Sequence, residues 1–481
     1  MRPPLWLFTG IAIVLVALAL FLRLAPISNE CVVGDEVFSR RVATSPTPQA
    51  WNLIRRDLVH PPLYYLLLKL TLPHGRPASA LDIRILSLTA GAASITVVIL
   101  IGCLAAPLRG PALLAAFLLA LNKTHIFYSQ QARSYAPFCF LVGALLLWSM
   151  LMDRYGQKRT YWLAGTGLMA VLLYTHYFGG FYCAAIVVAV VWTSHTKRFR
   201  IQAVASLAIA IAAFLPWVWQ EIPAYREKSG LASNLGWHEL PAFYDLKMTY
   251  AAYLGAPDFR GAGSLVCLLG AVLIVIALLP EPRNKDAALD SGAKLALALT
   301  ALMPPLLMFF LTRWPFRLPI YSERHVFPSV LAALLLVCYG LWRLASLTSP
   351  RLRVPVLVAG AIALSVLQAL PVWSQWPAPS RVPYAALAER LRHTNFPVYT
   401  TDPYGIGEPV LFYLEPGRPI DKLPAGPAKL PDRCIVLYRP AEPREASDVR
   451  PVLGQFDIVG EEYYAGANAT WGTRLLVLRK R

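Results

Sequence analysis

Four groups of polar residues interrupt an otherwise apolar sequence. Asp35-Glu36 is an acidic pair about a dozen residues beyond the first apolar run, and His60-Pro61-Pro62-Leu63-Tyr64-Tyr65 opens a short apolar stretch. Tyr128-Ser129-Gln130-Gln131-Ala132-Arg133-Ser134-Tyr135 joins two long apolar runs, and Tyr321-Ser322-Glu323-Arg324-His325 precedes another. A carboxylate such as Asp35 can take a proton from an attacking hydroxyl as a general base. Arginine and histidine can hold a departing phosphate and neutralise the charge it develops. Each group also has an ordinary use. An acidic pair can be solvated surface, and His60 can cap the helix that two prolines begin. A lone arginine at a span end can snorkel to headgroups, and tyrosines can form an aromatic belt. A carboxylate together with several cations at a membrane surface is what transfer from a lipid-linked phosphate donor requires.

The elements that must position these residues are set by composition. Hydrophobic residues make up 57% of the 481 positions and charged residues 15%, and the mean hydropathy is +0.50. An average soluble domain carries about 25% charge, so the chain is read as an integral membrane protein. Disorder, fibrous repeats and an ordinary cytosolic enzyme are excluded. The formal charge of +18 suits inward-facing basic loops and lipid phosphates rather than nucleic acid. Five of the seven cysteines (Cys103, Cys139, Cys183, Cys267, Cys338) fall in apolar runs as small core residues, and none has metal-ligand spacing.

A helix needs roughly 20 apolar residues to cross a bilayer. Eleven runs qualify as spans: Leu5–Leu22, Leu81–Ala106, Pro111–Phe127, Tyr135–Met152, Tyr161–Thr175, Phe178–Trp192, Ile201–Trp219, Gly261–Leu279, Ala293–Leu311, His325–Leu344 and Pro355–Val372. The first is read as retained, because no small-residue cleavage site follows Phe21-Leu22-Arg23. Pro62–Pro73 is too short to cross and is read as an interfacial helix. With the N-terminus inside, each inner loop is basic: Arg109; Arg154, Lys158 and Arg159; Lys197, Arg198 and Arg200; Arg283, Lys285 and Lys294; Arg343, Arg351 and Arg353. The outer segment Arg313–Arg324, with three arginines, is the exception. Pro304-Pro305 is expected to kink or break its span. Ionisable residues are nearly absent from the spans, which argues for a surface site rather than a transport path.

This topology leaves three long outer pieces: 23–80, 220–260 and the tail from residue 374. The two domains of the reading are therefore 1–373, a membrane domain whose first outer loop (23–80) is catalytic, and 374–481, outside the membrane. In the tail, Tyr384–Arg392 is patterned as an amphipathic helix, followed by strand-like runs Pro397–Thr401, Cys434–Tyr438 and Arg474–Leu478. Helix then β-branched runs, punctuated by Pro and Gly, reads as a small α/β domain.

In its polar groups the chain resembles the GT-C fold polytopic glycosyltransferases, in the branch of the protein O-mannosyltransferases and lipid A aminoarabinose transferases. The resemblance rests on Asp35-Glu36, then His60-Pro61-Pro62-Leu63-Tyr64-Tyr65, then Asp82-Ile83-Arg84-Ile85-Leu86-Ser87. It continues through Gln130-Gln131-Ala132-Arg133-Ser134-Tyr135, Tyr174-Thr175-His176-Tyr177 and Glu323-Arg324-His325. It implies inverting transfer of one sugar, hexose or pentose, from a polyprenyl-phosphate donor to an acceptor hydroxyl on the outer face. Asp35 would be the base, with Glu36 beside it. His60, Arg133, Arg324 and His325 would hold the donor phosphate. Tyr64, Tyr65, Gln130, Gln131, Tyr135, His176, Tyr177 and Glu323 would line the substrate groove. Acceptors of this family include proteins, glycolipids and polysaccharides. No cofactor is obligatory; in relatives that use a divalent cation Glu36 would ligate it, and Gln131 stands where an acidic residue is common.

A carrier or flippase for a lipid-linked sugar, or a non-catalytic assembly subunit, would share the spans but would need no base. Two smaller expectations concern the outer face. Cys31 and Cys434 would pair there, and Asn122-Lys123-Thr124 and Asn468-Ala469-Thr470 match the glycosylation acceptor pattern. The Arg/Pro/Ala-rich usage leans towards a bacterial inner membrane.

Overall fold

The computed structural model describes residues 5–27, 30–72, 78–227, 240–256, 262–280, 289–314, 320–375, 382–414, 419–465 and 472–481. Arg283, Lys285, Arg317 and the Asn468-Ala469-Thr470 pattern lie outside the described residues. The chain divides into two compact units. One comprises Met1–Arg23, Val42–Leu72 and Arg84–Trp373; the other comprises Leu24–Arg41, Pro73–Ile83 and Ser374–Arg481.

The first unit is helical. In chain order the helices are α1 (Leu5–Leu24), α2 (Gly34–Thr44, which begins in the second unit), α3 (Thr47–Asp57), α4 (Leu63–Thr71), α5 (Ala80–Leu104), α6 (Arg109–Leu121), α7 (Lys123–Ser129) and α8 (Tyr135–Met150). They continue with α9 (Met152–Tyr155), α10 (Arg159–Thr175), α11 (Gly179–Thr193), α12 (Lys197–Glu227), α13 (Phe243–Tyr253) and α14 (Ala262–Leu278). Last come α15 (Ser291–Arg313), α16 (Glu323–Val326), α17 (Ser329–Leu347) and α18 (Pro350–Gln375). All eleven apolar runs are helical, because a helix satisfies its own backbone where water is absent. Among the described residues six helices are long and apolar enough to cross a membrane, and α6 with α7 makes a seventh if their 63° bend is one broken span. Tyr135–Met150, Gly179–Thr193 and Gly263–Leu278 are apolar but shorter. The chain is an integral membrane protein.

Pro304-Pro305 does not break α15, which runs on to Arg313. A proline leaves the carbonyl four residues earlier without its helical donor. The two carbonyls so freed, Thr300 and Ala301, are met from neighbouring helices: Ser329 Oγ donates to Thr300 O at 2.8 Å and the Tyr250 hydroxyl donates to Ala301 O at 3.1 Å. The bend between α6 and α7 is served similarly. The buried Arg23 guanidinium donates to Ala120 O at 3.3 Å and Leu119 O at 3.5 Å, and lies 2.6 Å from His125 Nδ1. Arg343, expected as an inner-loop charge, is buried. Its guanidinium caps the end of α14 through the carbonyls of Ile276 (2.6 Å), Leu279 (2.7 Å) and Pro280 (3.0 Å).

Asn122 is fully buried as the cap of α7, accepting His125 N–H at 2.9 Å and donating to Ala252 O at 3.0 Å. That corrects the glycosylation expectation there, since no transferase reaches a buried amide.

The second unit is built on a five-stranded sheet of order β2-β1-β3-β5-β4: β1 (Val398–Thr400), β2 (Ile420–Lys422), β3 (Arg433–Tyr438), β4 (Phe456–Tyr464) and β5 (Thr473–Lys480). β1 is parallel to β2 and β3, while β5 is antiparallel to β3 and β4. Helices α19 (Tyr384–Arg392), α20 (Glu408–Tyr413) and α21 (Pro443–Leu453) complete it. Alternation along β3 sends Ile435 and Leu437 to one core with Leu387, Leu391 and Val410, and Cys434 and Val436 to the other with Val449 and Val452. Cys31 lies in the first core and Cys434 in the second, and no disulfide joins them. The expected bridge is therefore corrected: the sheet itself separates the two sulfurs. Strands β2 and β4 were absent from the sequence reading. β4 mixes three acidic residues with apolar ones and is largely exposed, and its edge position needs no continuous apolar run.

Candidate functional site

Within the helical unit a buried polar cluster assembles from α3, α4, α5, α8, α16 and the turns between helices. It begins at Leu58, which ends α3 in the left-handed conformation at φ 57°. That conformation costs a side chain about 1 kcal/mol or more, and it reverses the chain so that His60 returns to the end of α3. His60 Nδ1 stands 3.5 Å from Asp57 Oδ2, and the ring is buried. Pro61-Pro62 then leads into α4, where a missing N–H costs nothing.

On α4 both tyrosines are buried. The Tyr65 hydroxyl donates to Asp57 Oδ2 at 3.3 Å and accepts from Arg133 Nη1 at 2.9 Å. Ser87 Oγ gives its single proton to Arg133 O at 2.9 Å, so Tyr64, 3.0 Å away, is the donor in that pair. Both the carbonyl and the guanidinium of Arg133 are thus held by groups from the His60–Tyr65 segment and from α5.

Imidazoles continue the cluster. The His60 ring meets His176 edge-on at 5.5 Å and Tyr135 at 5.8 Å, and His176 lies 5.6 Å from His325. His176 stacks on Phe138 at 4.5 Å, in the turn between α10 and α11. Its Nδ1 accepts the Phe178 N–H at 3.4 Å, which puts the proton on Nε2; that atom is buried with no hydrogen-bond partner among the described residues. Burial, followed by His60, Arg324 and Arg133, holds the His176 imidazole well below the usual histidine range. His325 Nδ1 is 2.8 Å from Ile320 O, which makes this nitrogen the donor. Arg324 is half-buried and donates to the Tyr135 hydroxyl at 3.4 Å.

The remaining sequence-expected residues are placed differently. Gln130 is buried and donates to Arg23 O at 2.9 Å, a link between the end of α1 and α7. Gln131 is half-buried and Glu323 exposed. Tyr177 turns towards α12: its hydroxyl donates to Glu221 Oε1 at 2.5 Å and accepts from Trp217 Nε1 at 3.1 Å.

Asp35 and Glu36 belong to the second unit, in the first turn of α2. Glu36 is fully buried and its Oε2 accepts the Val33 N–H at 3.2 Å, closing the helix start. Asp35 is half-buried, and its Oδ1 accepts the Tyr404 hydroxyl at 3.0 Å. Among the described residues no three His, Cys, Asp or Glu side chains converge to hold a metal ion. The groups around Glu36 among the described residues do not make a divalent-cation site.

Asp57 was missed from sequence although it is shared by His60 and Tyr65. The available signal was the i, i+3 spacing of Asp57 to His60, which ordinary surface sequence also shows.

No protein-family model matches the chain, and no curated protein matches it. Solved structures do. ArnT from Cupriavidus metallidurans in the apo state is 11% identical with a TM-score of 0.59, covering 97% of this chain and 98% of that one. ArnT bound to undecaprenyl phosphate is 12% identical with a TM-score of 0.55 over 97% and 98%. The Archaeoglobus fulgidus oligosaccharyltransferase, in complex with Zn and sulfate, is 10% identical with a TM-score of 0.56 over 95% and 73%. The chain has the GT-C fold. The resemblance drawn from the polar groups is thereby confirmed at the level of fold. Within the GT-C helical unit, His60, Tyr64, Tyr65, Arg133, Tyr135, His176, Arg324 and His325 form one connected set.

Proposed function

We propose that the chain is a glycosyltransferase that moves a single sugar, hexose or pentose, from a polyprenyl-phosphate-linked donor to an acceptor hydroxyl. The observation that carries this is the set of buried Arg133, His60 and His325 with half-buried Arg324 inside a chain of GT-C fold. Two guanidiniums and two imidazoles are well suited to a phosphate that gains charge as its bond to the sugar breaks. ArnT, over nearly the full length of both chains, has been crystallised with undecaprenyl phosphate.

In this scheme Asp35 takes the proton of the acceptor hydroxyl. The acceptor oxygen bonds to the anomeric carbon from the face opposite the phosphate, which inverts the centre. The anomeric C–O bond breaks and its electron pair leaves on the polyprenyl phosphate. Tyr64, Tyr65 and Tyr135 orient the cationic groups, and His176 presents its Nε2–H to the donor. The acceptor is a glycolipid, polysaccharide or protein. Eleven spans with the N-terminus inside, in a bacterial inner membrane, put the polar groups on the outer face.

The test is sugar transfer in membranes supplied with radiolabelled undecaprenyl-phosphate sugars, comparing the native chain with Asp35→Ala. Label reaching an acceptor with the native chain alone supports the reaction and the base. Equal transfer by both removes Asp35 from the scheme. Tight binding of polyprenyl phosphate without transfer from any donor favours the carrier.

A further inference from the structure

We propose that Tyr404, in the C-terminal α/β unit, is a positioning residue for Asp35: its phenol holds Oδ1 and sets the face that the carboxylate presents to the acceptor hydroxyl. This rests on Asp35 acting as the base. The hydrogen bond is 3.0 Å long and joins residues 369 positions apart within one compact unit.

Tyr404 is 43% exposed, yet the backbone that carries it is braced at every step. It sits on a π-helical turn, Pro403–Gly407, capped by Asp402, whose Oδ1 accepts the N–H groups of Tyr404 at 3.0 Å and Gly405 at 2.8 Å. The other Asp402 oxygen meets Arg439 Nη2 at 2.6 Å, and Arg439 also pairs with Glu445 at 2.5 Å. Glu445 in turn accepts the Thr401 hydroxyl at 2.7 Å. On the far side of the turn the Tyr384 hydroxyl donates to Gly405 O at 2.9 Å.

The segment around Asp35 is gripped by the same stretch of tail. Val32 N–H donates to the Tyr413 hydroxyl at 2.8 Å, Arg40 lies 4.9 Å over the Phe412 ring, and Arg41 pairs with Glu408. The closest approach is backbone to backbone. A Cβ on Gly34 would stand 2.5 Å from the Tyr404 carbonyl oxygen, so residue 34 has to lack a side chain for the turn to sit where it does. A phenol tethered in this way is a fixed donor rather than a mobile surface group.

Two consequences follow. A hydrogen bond to the charged form favours it, so the phenol keeps the Asp35 carboxylate ionised to lower pH. It also restricts the carboxylate rotamer, which shortens the search for the attacking geometry. During transfer the acceptor proton passes to Asp35 and the phosphate leaves with the bonding pair; Tyr404 keeps its own proton throughout.

The experiment compares the native chain, Tyr404→Phe and Asp35→Asn, each full length in nanodiscs. Two readouts are used: the pH profile of transfer from an undecaprenyl-phosphate sugar, and infrared titration of the Asp35 carboxyl, which needs no substrate. The charged groups on the contacting elements are Glu36, Arg40 and Arg41 on α2 and Asp402, Glu408 and Arg439 in the tail. All remain in Tyr404→Phe. We expect kcat to fall about 3–30-fold with donor KM unchanged, and the acidic limb and the infrared titration to rise by about 0.5–1 pH unit. Native kcat and an unmoved limb in Tyr404→Phe, with Asp35→Asn inactive, would overturn the proposal and leave the base standing. A fall in kcat with neither titration moved would also overturn it, leaving Tyr404 as packing only. Full activity of Asp35→Asn would instead sink the underlying assignment of the base.

Discussion

The Arg133 guanidinium donates to the Tyr65 hydroxyl at 2.9 Å, and that hydroxyl donates onward to Asp57 at 3.3 Å. A cation and a carboxylate are therefore joined through one phenol, which fixes the direction of the guanidinium. Removing the link in Tyr65→Phe should raise the donor KM about 10-fold or more with little change in kcat, since a hydrogen bond to a charged group contributes about 1.5–3 kcal/mol. Arg133→Ala should lower kcat/KM by about 10²–10³. Steady-state transfer kinetics check both, and a native kcat/KM in Arg133→Ala would take Arg133 out of the donor site.

His176 gives a pH dependence with a defined sign. Its folded pKa lies well below the ordinary value, through burial and then His60, Arg324 and Arg133. The unfolded chain therefore takes up this proton first as pH falls. The contribution of neutral His176 is complete above about pH 6.5 and is lost as the pH drops from there towards the folded pKa. Thermal midpoints of native protein and His176→Gln between pH 7.5 and 5 check this. The native midpoint should fall more steeply than that of His176→Gln towards the acid end. Parallel slopes would contradict it.

Gly34→Ala adds one methyl group at the first residue of α2. Here that methyl would meet the Tyr404 carbonyl oxygen at 2.5 Å, and a backbone atom cannot rotate away. The expected outcome is a fall in transfer rate of about tenfold or more, with faster hydrogen exchange at the amides of Tyr404 and Gly405. An unchanged rate would show that the turn yields freely.

The two prolines of α15 predict a stability effect without an activity site. Ser329→Ala would strip the donor from Thr300 O, and Tyr250→Phe the donor from Ala301 O. A buried carbonyl left unmet costs about 1–3 kcal/mol. Each substitution should lower the thermal midpoint in detergent by several degrees, and the pair should be close to additive. A Ser329→Ala midpoint equal to the native one would mean that another donor reaches Thr300.

What could be read from the chain depended on how local the cause was. Each of the eleven apolar runs is helical because hydropathy acts residue by residue. The strand runs at 397–401, 434–438 and 474–478 declared themselves through β-branched, buried positions. β4 did not, because Asp457, Gly460, Glu461 and Glu462 interrupt its apolar residues and only Phe456 among them is buried. Arg23, Arg343 and Asn122 were read as loop or surface groups from their sequence neighbours. Their actual partners are carbonyls and amides of other helices, which no local pattern announces. Asp57 was passed over for the same reason, since one carboxylate beside two arginines looks like solvated surface.

The sequence by itself determined that this is a membrane protein with a small α/β tail, and its polar groups carried the resemblance to the GT-C glycosyltransferases. It also determined which residue types were available for acid–base and phosphate chemistry, because hydropathy and residue identity are properties of single positions. Only the tertiary structure decided which of those groups meet. His60, Arg133, His176 and His325 lie on separate elements and become neighbours only when the helices pack. Arg23 finds His125 across 102 positions, and the tail supplies the hydroxyl that Asp35 accepts. Such pairings follow from the cost of leaving a buried polar group without a partner, and the partners come from the fold as a whole.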